Sequence, residues 1–257
     1  MRNVTTDRIR NVALVGHGGA GKTTLAEALA HCTGLISRPG RVEDGSTLSD
    51  FEPEELRRHI STSLSVITME AKDHLLTVLD APGYPDFLGD VAAALSACDL
   101  AVIVVSATDG VEVGTELAFE MAEQAGLARM FFINKLDRER ADYEKVVNQI
   151  VERFGAGVAP LELPIGSETS FCGVIDLLTD EAITYQGKQP QHEPIPPELA
   201  VAEHALRDQL VEGIVVADDA LMERYLEGEV PSTAQLEETL ARGIAAATVF
   251  PVVCGSA

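Results

Sequence analysis

The segment GHGGAGKT at residues 16–23 constrains the fold of this chain more than any other stretch. It fits the pattern G-x-x-x-x-G-K-[ST] and lies between an apolar strand, VALVG, and a helix-period segment, KTTLAEALAHC. Glycines let backbone N–H groups close around phosphate oxygens, and the helix N-terminus adds the positive end of a dipole. We therefore predict a phosphate loop formed by Gly16, His17, Gly18, Gly19, Ala20, Gly21, Lys22, Thr23 and Thr24. Lys22 is expected to reach the β- and γ-phosphates, and Thr23 to ligate Mg²⁺.

Short apolar runs alternate with helix-period segments as far as about residue 157. Runs such as AVIVV, which lack polar alternation, are typical of parallel strands covered on both faces. This alternation predicts an α/β fold of the phosphate-loop (P-loop) NTPase type, a mostly parallel sheet with helices on both faces. After that point the pattern changes to short strands, LELPIG, FCGVIDLL and EAITYQ, followed by a proline-rich joint, QPQHEPIPPE. Acidic helices are predicted near 197–213, 218–227 and 232–246, and a final buried strand lies within ATVFPVV. We interpret this second part as a small inserted α+β subdomain.

Charge and cysteine usage exclude several classes of protein. The formal net charge is −22, so phosphate neutralisation cannot drive nonspecific nucleic-acid binding by the domain as a whole. The four cysteines are scattered without metal-ligand spacing, and we predict that they are buried apolar residues in a reducing cytosol. No stretch reaches the roughly 18 apolar residues of a membrane span. These features predict a cytoplasmic location without membrane contact.

A second apolar strand, HLLTVLD, ends on Asp80 and is followed by the turn Ala81-Pro82-Gly83. In phosphate-loop proteins an acid at this position holds Mg²⁺, often through water, and we predict that role for Asp80. Gly83 would bring its N–H close to the γ-phosphate. The alternative, that Asp80 caps the turn before the next helix, is the better explanation only without the phosphate loop upstream.

The tetrapeptide NKLD at 134–137 follows the strand MFFI, and the turn CGSA follows the last strand. The carboxylate of Asp137 can accept from the guanine N1–H and exocyclic amine, Asn134 supports N7, and the stem of Lys135 lies along the ring. Adenine lacks those donors, and a site that hydrogen-bonds a group strongly rejects analogues without it. Ser256 and Ala257 are predicted to bring a backbone N–H to guanine O6. Together the motifs predict GTP or GDP, with Mg²⁺, as the ligand.

The order GHGGAGKTT, DAPG, NKLD and GSA resembles the translational GTPases, and the detail resembles the elongation factor G family. GRVEDGSTLSDFEPEELRRHIS is similar to the family's first switch segment, and LPIGSETSFCGVIDLL with the following helices to its inserted subdomain. The resemblance implies a GTP-binding core at 1–157, an inserted subdomain at 158–247, and a last strand with the guanine loop at 248–257. It implies a fragment of a longer multidomain factor. It also implies GTP hydrolysis on the ribosome, with the stalk protein and the GTPase-activating RNA region as partners.

The chain departs from the family at three positions. The switch threonine that contacts Mg²⁺ and the γ-phosphate is replaced by Ser61, with Thr62 as the alternative if the register slips by one. Gly19 replaces an aspartate thought to hold a monovalent cation. Tyr84 replaces the histidine that positions the attacking water, which places the chain in a paralogue branch lacking that histidine, or else leaves Tyr84 a packing residue with catalysis lost. The predicted catalytic set is Lys22, Ser61, Gly83 and Tyr84, and the predicted Mg²⁺ set is Thr23, Ser61 and Asp80.

The leading prediction is a GTPase that hydrolyses GTP slowly without ribosomes. The alternatives are a ribosomal protection or release-factor GTPase, which shares these motifs, and a GTP-dependent binding module with little hydrolysis. NKLD disfavours an ATPase. The long charged segment 38–60 is weakly periodic, and such connections are usually functional or mobile.

Overall fold

The computed structural model of the chain describes residues 4–186 and 189–257. These residues form strands that we number in chain order: β1 (Ile9–Val15), β2 (Ser65–Ala71), β3 (His74–Asp80), β4 (Leu100–Ser106), β5 (Ala128–Asn134), β6 (Val158–Pro160), β7 (Glu162–Ile165), β8 (Gly173–Asp176), β9 (Glu181–Gln186), β10 (Gln189–Glu193) and β11 (Phe250–Cys254). The α-helices are α1 (Lys22–Cys32), α2 (Pro53–Arg58), α3 (Leu88–Ala97), α4 (Val113–Gln124), α5 (Tyr143–Phe154), α6 (Ala200–Val215), α7 (Asp219–Leu226) and α8 (Thr233–Ala245). The chain divides into two compact units.

The first unit runs to Val105 and also contains Glu112–Leu127 and Ala257. Its strands have the order β2-β3-β1-β4. β1 is parallel to both β3 and β4, whereas β2 and β3 form an antiparallel pair. Fully buried apolar side chains such as Ala13, Val78 and Ile103 form its core. The apolar run of β4 is buried because helices such as α1 and α3 pack on this sheet.

The second unit contains Ser106–Val111 and Ala128–Ser256. Its parallel strands have the order β5-β11-β6, and a separate antiparallel sheet has the order β10-β9-β8-β7. Helix α6 lies on β6, and a Cβ added at Gly213 would meet Val158 O at 2.3 Å. This close approach explains why a glycine occurs in the last turn of that helix.

The predicted mostly parallel sheet is confirmed, since the pairings of β1 with β3 and β4 and of β11 with β5 and β6 are all parallel. The helices predicted near 197–213, 218–227 and 232–246 correspond to α6, α7 and α8. The proline-rich joint was a wrong prediction in part, because residues 189–193 form the exposed strand β10, paired with β9. Pro190 is tolerated there because β10 lies at the edge of its sheet.

Two further predictions concern the cysteines and membrane-spanning helices. Cys98 and Cys254 are buried as predicted, but Cys32 and Cys172 are exposed free thiols, so burial of all four cysteines is wrong. Among residues 4–186 and 189–257, none of the helices has the length and apolar character needed to cross a membrane.

Candidate functional site

The predicted phosphate loop connects β1 to α1, and at two of its positions the backbone has a conformation that glycine adopts most readily. Gly16 has φ 130°, and a Cβ there would meet Val104 O at 2.5 Å. Gly21 is the N-cap of α1 in the left-handed region, with φ 94°. The first turn of α1 contains no acidic residue of its own, and the positive end of its dipole faces the loop.

Lys22 is folded back over this loop. The residue is only 6 % exposed, and its Nζ donates to Gly16 O at 3.1 Å and His17 O at 2.8 Å. Burial lowers the pKa of Lys22 to about 8, and the nearby charge of Asp80 opposes that shift. At neutral pH most Lys22 side chains therefore still carry a positive charge, held at the centre of the loop.

Four side chains from distant parts of the sequence meet at the start of α1. Thr23 Oγ1 donates to Asp80 Oδ2 at 2.8 Å and lies 3.0 Å from Ser61 Oγ. Ser61 Oγ in turn donates to Asp50 Oδ1 at 2.7 Å. The three residues predicted to form the Mg²⁺ set thus lie together, and Asp50 joins them as a second buried carboxylate.

The two carboxylates of this cluster have unused acceptor capacity. Asp80 Oδ1 and Asp50 Oδ2 are buried and have no hydrogen-bond partner among the described residues. Burial raises the pKa of Asp80 to about 6 against the bond from Thr23, and burial also raises the pKa of Asp50. Buried, unpaired carboxylate oxygens are costly, and hard divalent cations such as Mg²⁺ take oxygen ligands. The donor set therefore fits Mg²⁺.

The polar segment 38–60 is anchored by two buried glutamates. Glu27 of α1 accepts from the backbone N–H of Gly40 at 2.7 Å and of Leu48 at 2.5 Å. Glu55 of α2 accepts from the N–H groups of Thr62 at 2.8 Å and Ser63 at 3.1 Å. These contacts hold the segment on both sides of Asp50.

Of the two hydroxyl residues at positions 61 and 62, Ser61 is the one that lies at the cluster. Ser61 Oγ lies beside Thr23, whereas Thr62 Oγ1 donates to Glu55 Oε1 at 3.3 Å. Because Glu55 also binds the Thr62 N–H, it keeps the Thr62 hydroxyl turned away from the cluster.

The turn after β3 lies directly on the phosphate loop. A Cβ added at Gly83 would meet Lys22 Nζ at 2.3 Å and Gly18 N at 2.7 Å. At the next residue, the Tyr84 ring lies against Gly18, where an added Cβ would meet ring atom Cζ at 2.9 Å. Tyr84 is 39 % exposed, so one side of the ring packs on the loop while the rest faces solvent.

The two motifs predicted to bind guanine lie in the second unit, apart from Ala257. Asn134 is fully buried at the end of β5, and its carbonyl accepts from Ala107 N–H at 2.8 Å. Ser256 Oγ donates to Asp137 Oδ1, and Leu136 N–H donates to Gly255 O at 3.4 Å. The NKLD turn and the CGSA turn therefore contact each other, with the Asp137 carboxylate at their junction.

Sequence reasoning missed Asp50 and the packing of Tyr84 on Gly18. Asp50 was visible as an acid in the polar segment, but no motif or spacing distinguished it from the other acids there. Gly18 belonged to the predicted phosphate loop, yet the sequence did not show that its missing side chain makes room for a ring from the turn after β3.

Comparisons with known proteins agree with this geometry. The family model of the elongation factor Tu GTP binding domain matches residues 7–257. The chain is 36 % identical to elongation factor G of Granulibacter bethesdensis over 261 residues, which covers all of this chain and 38 % of that protein. It is also 36 % identical to elongation factor G 1 of Geobacter sulfurreducens, covering 98 % of this chain and 37 % of that protein.

A solved structure gives the same result in three dimensions. The crystal structure of ttk003000868 from Thermus thermophilus matches with a TM-score of 0.88 and 38 % identity, over 97 % of this chain and 37 % of that one. The chain thus spans less than two fifths of the length of the relatives that it matches. It has the G-domain fold, a mostly parallel mixed sheet with helices plus an antiparallel sheet. The chain belongs to the elongation factor Tu GTP-binding domain family and is a translational GTPase G domain related to elongation factor G.

Proposed function

We propose that this chain binds GTP and GDP with Mg²⁺ and hydrolyses GTP slowly, as the nucleotide-binding part of an elongation-factor-G-like factor that acts on the ribosome. The observation that carries the proposal is the cluster of Thr23, Ser61 and Asp80 beside the buried ammonium of Lys22. A buried positive charge with a set of oxygen ligands gathered beside it is what a nucleotide phosphate with its metal requires.

The phosphate chain is held by residues 16–24. The Lys22 ammonium leaves the carbonyl oxygens of Gly16 and His17 in part to contact the β- and γ-phosphates, which replace the lost hydrogen bonds with charge-assisted ones. Gly83, which packs against Lys22 Nζ, supplies its backbone N–H to the γ-phosphate. The lack of a Cβ at Gly83 is what allows this approach.

Mg²⁺ would be held by the hydroxyls of Thr23 and Ser61, and Asp80 and Asp50 would bind it directly or through water. When bound, the ion neutralises charge between the phosphates. The residues of the chain keep both hydroxyls oriented, since Thr23 donates to Asp80 and Ser61 donates to Asp50.

Guanine is recognised by the junction of the NKLD and CGSA turns. Asp137 accepts from the base N1–H and exocyclic amine, and Ser256 holds this carboxylate in place. Asn134 and Lys135 line the base, and the Ser256–Ala257 backbone contacts O6.

Hydrolysis is slow because Tyr84 stands where the family has a histidine. Tyrosine as a residue type has a pKa of about 10 in water and does not accept a proton at neutral pH as imidazole does. Phosphoryl transfer still gains from positioning and charge stabilisation, which Lys22, Mg²⁺ and the Gly83 N–H supply. The same replacement favours a second candidate, a GTP-dependent binding module with little hydrolysis.

The ribosome is the proposed partner of the whole factor, and the inserted subdomain at 158–247 is its proposed contact with the stalk protein. Translocation and ribosomal protection or release need the same G domain, so these roles separate only in the product of the parent gene. We propose a cytoplasmic location on the same grounds.

The test measures Mg²⁺-dependent binding of GDP, GTP and ATP to this chain, and GTP turnover by the full-length product with and without ribosomes. The proposal expects guanine nucleotides alone to bind and ribosomes to stimulate turnover. Equal affinity for ATP and GTP would refute the guanine assignment. Tight GTP binding without turnover on ribosomes would establish the binding module instead.

A further inference from the structure

We infer that Glu168 is a positioning residue for guanine recognition: the loop between β7 and β8 holds the NKLD turn in the conformation that presents Asp137. This inference rests on the proposed binding of a guanine nucleotide. It assigns a role to a loop residue between two strands of the antiparallel sheet, which no motif singled out.

Glu168 contacts the NKLD turn through both its backbone and its side chain. Its N–H donates to Leu136 O at 2.9 Å, and its Oε1 accepts from Arg140 N–H at 2.8 Å. Leu136 lies directly before Asp137 and is buried. One residue therefore bridges the two ends of the turn that follows Lys135.

The NKLD turn needs such support because its backbone is unusual. Lys135 has φ 67° and Arg140 has φ 68°, a left-handed conformation that residues with a Cβ rarely adopt. Such conformations persist where surrounding structure over-determines them, and they concentrate at functional sites. The two hydrogen bonds of Glu168 hold Leu136 and Arg140, which lie at either end of the segment that follows Lys135.

The loop that carries Glu168 is closed by hydrogen bonds of its own. Glu168 also has a left-handed backbone, with φ 51°, and it begins a short 3-10 turn, Glu168–Ser170. Ser167 and Ser170 form a reciprocal capping box across this turn. The antiparallel pairing of Ile165 with Gly173 closes the base of the loop. Glu168 thus transmits the position of the β7–β8 pair to the NKLD turn.

Asp137 is consequently held from two sides. Ser256 donates to its carboxylate, and Glu168 fixes the peptide that precedes it. Loss of the Glu168 side chain leaves the Asp137 carboxylate attached to Ser256 and Leu136 O attached to the N–H of residue 168, but it releases Arg140 N–H and so loosens the backbone that follows Asp137. Selectivity for guanine requires both the Ser256 contact and the Glu168 contact. A shifted Asp137 carboxylate cannot accept from N1–H and from the exocyclic amine together.

The experiment compares binding of GDP and of inosine diphosphate, which lacks the exocyclic amine, with Mg²⁺ present. The variants are Glu168→Ala, Glu168→Gln and the control Thr169→Ala, an exposed residue of the same turn. We expect Glu168→Ala to weaken GDP binding about fivefold and inosine diphosphate binding less, because one bond to a charged acceptor is lost. The preference for GDP over inosine diphosphate, measured as the ratio of the two affinities, should therefore fall in Glu168→Ala. Glu168→Gln should retain most of this preference, because its amide oxygen can accept from Arg140 N–H.

A purely structural role for Glu168 would change both affinities equally, and an unchanged ratio in Glu168→Ala overturns the inference. Loss of the ratio in Glu168→Gln to the same extent as in Glu168→Ala also overturns it. Glu168→Gly keeps the N–H and suits the left-handed backbone, so it repeats the test if the alanine variant does not fold. Failure of the wild-type chain to prefer GDP would instead refute the proposed function, so the two failures are distinguishable.

Discussion

The ring of Tyr84 lies on the backbone of Gly18, so closely that a Cβ at residue 18 would come within 2.9 to 3.1 Å of ring atoms Cζ, Cε1 and Cε2. The backbone of Gly18 is outside the left-handed region, and its glycine is needed for space alone. A side chain added here therefore displaces the far end of the tyrosine ring before it disturbs the phosphate loop. This pair makes the contribution of Tyr84 measurable.

We expect Gly18→Ala to leave GDP affinity within about twofold of wild type and to slow single-turnover GTP hydrolysis on ribosomes about tenfold, because the phenol loses its position beside the loop. In a Tyr84→Ala background the same change should have no effect on the rate. Gly89→Ala is the matched control, since a Cβ there meets nothing within 4 Å. Equal slowing by Gly18→Ala with and without the ring would show that residue 18 acts independently of Tyr84.

Tyr84→His should accelerate hydrolysis and add an acidic limb to the pH–rate profile near the usual imidazole pKa of about 6.5. The wild type should lack that limb. Tyr84→Phe separates the hydroxyl from the ring and should keep GTP affinity, because the ring can still pack on Gly18. An undiminished rate in Tyr84→Phe would assign Tyr84 a packing role only.

Asp80→Asn should stabilise the chain in EDTA at mildly alkaline pH and abolish stabilisation by Mg²⁺ with GDP. Burial raises the pKa of Asp80 from 3.8 to about 6, so between these values the folded chain holds a proton that the unfolded chain releases. Wild-type stability should therefore fall, relative to the variant, as pH rises from about 4 to 6, and stay lower above that range. Thermal unfolding with and without Mg²⁺ and GDP measures both effects. If Asp80→Asn unfolds at a lower temperature than wild type in EDTA, the buried charge of Asp80 does not destabilise the chain.

Asp137→Asn should weaken GDP binding by about a hundredfold or more, because an amide directs a donor toward the guanine donors. The variant should gain affinity for xanthosine diphosphate, whose C2 carbonyl accepts from that amide. Asn retains an oxygen for the Ser256 hydroxyl, so the junction of the two turns should survive. Competition titrations with GDP, xanthosine diphosphate and ADP measure the change, and unaltered GDP selectivity would place the base elsewhere.

Charge reversal on the acidic helices should slow association with the ribosomal stalk protein at low salt. Acids at 193, 198, 208, 212, 218, 219, 223, 227, 229, 237 and 238 remain candidates, but Glu203 is buried and does not contribute to that surface. Changing Glu212, Glu237 and Glu238 to Lys should lower the association rate severalfold, less so at high salt. Glu144→Lys with Glu152→Lys on α5 is the control, and an unchanged rate in the triple variant would leave these acids as a solvated surface.

The sequence by itself determined the elements that depend on residues close together along the chain. The predicted phosphate loop could be recognised in the sequence because its glycines, lysine and threonine lie within one strand-to-helix turn, and NKLD because it follows a strand end. The strand and helix pattern up to α5 was readable for a similar reason, since burial on two faces or one leaves a periodicity in the sequence.

Only the tertiary structure decided the relationships between residues far apart in the chain. Asp50 joins Ser61 because Glu27 and Glu55 anchor the segment between α1 and β2, and no spacing rule encodes those bonds. Tyr84 reaches Gly18, and Glu168 reaches Leu136, because the chain folds these turns onto one another. Hydrogen bonds and van der Waals contacts act over a few ångströms in space, whereas a single sequence records only neighbours along the chain.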